Sequence, residues 1–127
     1  MNNFAITGAD KACINLPSSA DAMIFEGTMT NCNTDGESWG GAIVNYPGST
    51  GGMLHVENVT IENAYVNLID TDLQHVTISN VSATITSGST QTGTVLTSDF
   101  GVASEVKMLN FDAPDYSSAS ILSLIHI

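Results

Sequence analysis

At 127 residues the chain is one domain or a piece of one, and 43% hydrophobic content allows a core and argues against wholesale disorder. Thirteen acidic residues face two lysines and no arginine, for a formal charge of −11. Such a surface repels phosphate backbones and anionic lipid, so nucleic acid is not an expected partner. No apolar run reaches the ~18 residues that span a bilayer, so no membrane insertion is expected.

The predicted elements, in chain order, are short and strand-like. Phe4-Ala5-Ile6-Thr7-Gly8-Ala9 alternates around Ile6, and Thr28-Met29-Thr30-Asn31-Cys32 alternates around Met29. Between them lies Cys13. Cys13 and Cys32 are too few for a disulfide framework, and they read as small buried hydrophobes with a single bridge left open. NTDGESWGG and NYPGSTGG follow as Gly-, Ser- and Asn-rich loops around the apolar run Ala42-Ile43-Val44.

The central stretch says nearly the same thing twice. Val59-Thr60-Ile61-Glu62-Asn63 returns seventeen residues later as Val76-Thr77-Ile78-Ser79-Asn80. Apolar side chains two apart share one face and the threonines the other. The frame extends to Val106-Lys107-Met108-Leu109-Asn110-Phe111, giving apolar centres at Ile6, Met29, Ile61, Ile78 and Met108 with spacings of 23, 32, 17 and 30. Seventeen residues are too few for a βαβ crossover. They suffice for three short strands, with Tyr65–Ile69 and Thr94–Leu96 as further strands of their coils. Asn31, Asn63, Asn80 and Asn110 recur at one place, with Gly8 at the equivalent point. Asn and Gly both tolerate left-handed backbone, and stacked amides can bond one another, so a structural ladder is expected there.

This pattern resembles the coils of right-handed parallel β-helix proteins, the architecture of pectate lyases, polygalacturonases and many surface adhesins. The resemblance is strongest over residues 53–86. It implies an all-β solenoid of about five coils over residues 4–111, as a fragment of a longer solenoid, with a tail at 112–121. The final Leu-Ser-Leu-Ile-His-Ile resembles sequencing-adapter read-through, so 122–127 is expected to be non-native and His126 is not interpreted. No signal peptide is visible; an extracellular or cell-surface location is expected from architecture and composition.

Chemistry is sparse. Asn33-Thr34-Asp35-Gly36 is similar to a polygalacturonase motif whose Asp is catalytic, and inverting glycoside hydrolysis needs a second carboxyl group. The family's paired Asp, Gly-His-Gly and Arg-x-Lys are absent, however, and N-T-D-G is an ordinary Asx-turn sequence. Asp70-Thr71-Asp72 places two carboxylates two apart, where they can share Ca²⁺, although a polar corner explains them as well. Asp35, Asp70 and Asp72 are thus the weak catalytic candidates, and Asp70 and Asp72 the metal candidates. Trp39 and Tyr46 sit in Gly-rich insertions, where aromatic rings can stack on sugars or pack as anchors. Thr28, Thr60 and Thr77 suggest an outward threonine row that breaks at Lys107. His55 and His75 do not share a column. Asn58-Val59-Thr60 and Asn80-Val81-Ser82 are glycosylation sequons.

The resulting expectation is a non-catalytic segment of a secreted or cell-surface protein, adhesin-like or facing polysaccharide or cell-surface glycan, with no cofactor beyond Ca²⁺. The alternatives are a fragment of a polysaccharide hydrolase or lyase and a piece of phage tail-spike.

Overall fold

The structure is a computed structural model that describes residues 1–17, 20–45, 52–71, 75–86, 94–97, 105–116 and 125–126. Odd-numbered strands β1 (Asn2–Ala9), β3 (Asp21–Cys32), β5 (Met53–Ala64), β7 (His75–Thr84) and β9 (Glu105–Asp112) alternate with β2 (Ala12–Leu16), β4 (Gly41–Asn45), β6 (Asn67–Asp70) and β8 (Thr94–Thr97). Ile125–His126 forms β10. One sheet has the order β1-β3-β5-β7-β9-β10 and the other β2-β4-β6-β8. All pairings are parallel.

The chain is strand-rich, and the described residues include no helix. The expected right-handed parallel β-helix, with three short strands per coil, is corrected by this layout. Two parallel sheets are present, one of long strands and one of short strands. The reason is visible in the long strands. Left-handed residues do not end them: the pairing runs from Phe25↔Glu57 straight on to Gly27↔Val59, across Glu26 and Asn58. Two five-residue segments therefore remain in one strand.

Each left-handed residue shifts the phase of burial. In β5, Leu54 and Val56 point inward, then Val59 and Ile61, so the step is three across Asn58. In β7, Val76, Ile78, Val81 and Ala83 repeat this across Asn80. Burying each such aliphatic side chain contributes roughly 1.5–3 kcal/mol. Met29, Ile43, Leu68 and Ile69 complete the buried cluster between the sheets.

The register corrects the seventeen-residue frame. Met53 lies opposite His75, an offset of 22, so Ile78 pairs with Val56 and Ile61 with Ala83. The expected alignments of Ile6 with Met29 and Ile61, and of Ile78 with Met108, do hold. The single asparagine column accordingly becomes two. One contains Asn3, Glu26, Asn58, Asn80 and Asn110; the other contains Gly8, Asn31 and Asn63; all have φ between 51° and 78°. Within a column the amides do bond: Asn110 Nδ2 donates to Asn80 Oδ1 at 2.9 Å, and Asn63 Nδ2 to Asn31 Oδ1 at 3.3 Å. Asn63 and Asn80 are not neighbours.

After β9 the chain turns back over the second column. Asp115 Oδ2 accepts from the Ile85 amide at 2.9 Å, and the buried Tyr116 hydroxyl donates to the Ala64 carbonyl. Cys13 and Cys32 form a disulfide that joins β2 to the end of β3.

Candidate functional site

The loop 33–40 leaves β3 directly after Cys32 and rests on the turn between β1 and β2. Thr34 N donates to Ala9 O at 3.1 Å, Asp35 N to Asp10 O at 3.0 Å, and Gly41 N to Lys11 O at 3.0 Å. Asn33-Thr34-Asp35-Gly36 closes as a β-turn, with Gly36 N donating to Asn33 O at 3.0 Å. Gly36 has φ of 73°, a left-handed geometry that glycine adopts without steric cost.

Two buried amides hold this loop from beneath. Asn33 is fully buried, and its Nδ2 donates to Glu37 O at 2.9 Å and Tyr65 O at 2.8 Å. Its Oδ1 accepts from Glu37 N at 2.9 Å. Asn67, at the start of β6, donates to Ser38 O at 2.8 Å and Gly40 O at 3.1 Å. A Cβ at Gly40 would collide with Lys11 O and the Asn33 amide, so glycine is required where the loop returns. Val66 adopts φ of 72°, while Asn67 N donates to Tyr65 O. This tight turn, costly for a β-branched residue, carries the carbonyl that Asn33 uses.

The fixed loop presents Trp39, which is 41% exposed. Lys11 Nζ lies 5.8 Å from its ring centroid and 3.7 Å from Glu37 Oε1. Both charged side chains are roughly half exposed, so the ion pair adds at most about 1 kcal/mol of stability. The result is an aromatic face beside one ammonium, which is itself paired with one carboxylate. It offers stacking and hydrogen bonding to a polar ligand.

The other sequence candidates fall elsewhere. Asp35 is exposed in the β-turn, its backbone tied to Asp10. Asp70 is buried at the end of β6, in register with Val44 and Thr97 in the short-strand sheet. The candidate acids are thus placed in separate environments, one in an exposed turn and one in a buried strand end. Tyr46 and Asp72 lie outside the described residues. Among the described residues, no group of three or more His, Cys, Asp or Glu could hold a metal ion. His55 meets Phe25 edge-on at 5.2 Å, and His75 lies opposite Met53.

Sequence reasoning missed the roles of Asn33, Asn67 and Lys11. Asn33 was visible only as part of a turn, and Lys11 reaches Trp39 through a contact between residues 28 apart. Comparison with known protein families, curated proteins and solved structures returned no match.

Proposed function

We propose that this chain is a non-catalytic, carbohydrate-facing module of a secreted or cell-surface protein, with the loop 33–40 as a ligand site. The observation that carries the reading is Trp39, exposed on a loop whose geometry is set by two buried asparagines. An aromatic ring held this way stacks on a sugar with little ordering cost. Glu37 and Lys11 beside it supply an acceptor and a donor for hydroxyl groups. The Cys13–Cys32 disulfide suits an oxidising compartment, and the −11 charge disfavours polyanionic ligands.

The test is titration of the intact chain with a panel of neutral, acidic and amino-sugar oligosaccharides, read by the fluorescence of Trp39, the only tryptophan. Saturable quenching by one class, lost in Lys11→Met with Glu37→Gln, supports the reading. Absence of any quenching across the panel, or release of reducing ends on incubation with polysaccharide, would overturn it.

A further inference from the structure

The corrected register creates a surface that the seventeen-residue frame concealed. Thr77 lies opposite His55 and Lys107 and has no place in the outward threonine row. The position belongs to Ser82, opposite Thr60, which is opposite Thr28. A second row runs beside it: Thr7, Thr30, Glu62 and Thr84. Lys107, which had broken the row, is not part of it.

We infer that this double row is a second binding surface, for a linear uncharged polysaccharide lying across the strands. Five of the six hydroxyl-bearing residues are exposed, and Thr30 is partly so. No intramolecular hydrogen bond engages these hydroxyls among the described residues. Parallel strands repeat every ~4.8 Å, and side chains two apart on one strand are ~6.6 Å apart, so the hydroxyls form a regular two-dimensional array. Such an array gives equal contacts to a partner that itself repeats. Threonine is stiff at χ1, so the hydroxyls are already ordered before the ligand arrives.

Charge narrows the partner. The two rows carry no cation, Glu62 sits within one, and Asp112 closes the other beyond Ser82. A uronate or sulfated chain would therefore meet unpaired like charge on a molecule already at −11. Glu62 also separates a polysaccharide from an ordered water lattice. Its Oε1 already accepts from Thr86 Oγ1 at 3.0 Å, and it remains exposed. A carboxylate accepts sugar hydroxyls well but interrupts a lattice that must run unbroken over the face.

The proposal rests on the preceding carbohydrate reading for its ligand class, and it places the contact on a different surface. It is tested by affinity electrophoresis in gels containing hydroxyethyl cellulose, a neutral linear glucan, with polygalacturonate gels as the acidic counterpart. The expected result is retardation by the neutral polymer alone. It should weaken at least tenfold in Thr60→Val with Ser82→Ala, fall severalfold in the exposed, isosteric Glu62→Gln, and persist in Thr77→Val, which lies outside both rows. Equal loss in Trp39→Ala would overturn the proposal in favour of the loop as sole site. Retardation unchanged in both row variants, or absent in the native chain, would also overturn it. So would thermal hysteresis that disappears in Thr60→Val, which would assign the face to ice.

Discussion

Asn33→Ala should be the most damaging single change at the loop. The substitution deletes three side-chain hydrogen bonds, at 2.8 to 2.9 Å, inside a fully buried site. The two carbonyls it releases do not become orphans, because Tyr65 O still accepts from Asn67 N and Glu37 O from Gly40 N. Glu37 N, by contrast, loses the acceptor Oδ1 supplied. Three net bonds at about 1 kcal/mol each, with a desolvation penalty of about 1–3 kcal/mol on one amide, come to roughly 4–6 kcal/mol. Asn33 also has φ of 59°, a conformation that costs alanine about 1 kcal/mol more.

Two companion variants separate these contributions. Asn33→Gly adopts the left-handed backbone freely but loses the same bonds, so it should be about 1 kcal/mol milder than alanine. Asn33→Asp keeps the acceptor for Glu37 N but turns a carboxylate oxygen toward two carbonyls. It should be at least as harmful as alanine despite its near-identical shape. Urea unfolding followed through Trp39 fluorescence reports on the loop itself, and circular dichroism reports on the sheets. Against a total of about 5–15 kcal/mol for a domain, these losses are large. An Asn33→Ala cost below about 1 kcal/mol, or an Asn33→Asp as stable as the native chain, would refute the assigned hydrogen bonding.

The other predictions follow from separate features. Replacing Cys13 and Cys32 by alanine opens a link of sequence separation 19 and should cost about 3 kcal/mol, seen as a lower urea midpoint. Tyr116 is pushed up from an ordinary 10.0 to about 12, first by burial and then by the Asp115 charge. Its folded-state value lies above its unfolded one, so this contribution is complete below pH 10 and is lost as pH rises toward 12. The loss is at most about 2.7 kcal/mol, and about half that after solvent screening. A melting-temperature profile should flatten over this window in Tyr116→Phe. The register itself can be cross-linked: Thr60→Cys with Ser82→Cys should bridge on mild oxidation, because the pair lies in neighbouring strands ~4.8 Å apart. Thr60→Cys with Thr77→Cys should not; the opposite outcome would restore the seventeen-residue offset.

The repeat was legible in the sequence but its phase was not, for a physical reason. β3 and β5 each contain two five-residue segments, both inward-alternating and ending in a left-handed residue, and β7 contains one such segment after His75. VTIEN is the second segment of β5 and VTISN the one in β7. Their likeness reflects one local conformation used at two places across the strand. Backbone pairing distinguishes the places, and pairing is decided between strands. The same holds for Lys11 with Trp39 and for Cys13 with Cys32, which meet because β2 lies beside β4 and β1 beside β3. Thr28 and Thr60 were legible as one outward row, while Thr77 was placed in it by the same slip and Ser82 was not read as its member.

Asparagine shows how far residue type alone can be read. The chain uses it as a left-handed backbone residue within strands at 31, 58, 63 and 80, and as a buried amide cross-link at 33, itself left-handed in the loop, and at 67. The two uses have different neighbours. Asn31, Asn58, Asn63 and Asn80 each have an apolar residue two before, a polar residue one before and an apolar residue one after. That is the signature of alternation interrupted in mid-strand, where the chain must regain its inward phase after the left-handed step. Asn33 is followed by Thr34, and Asn67 is preceded by Val66, so neither fits. Asn110 is left-handed although Leu109 precedes it, and Leu109 is 44% exposed. The geometry of the strand therefore prevails over side-chain preference there, setting an apolar residue in water to preserve the register of the column.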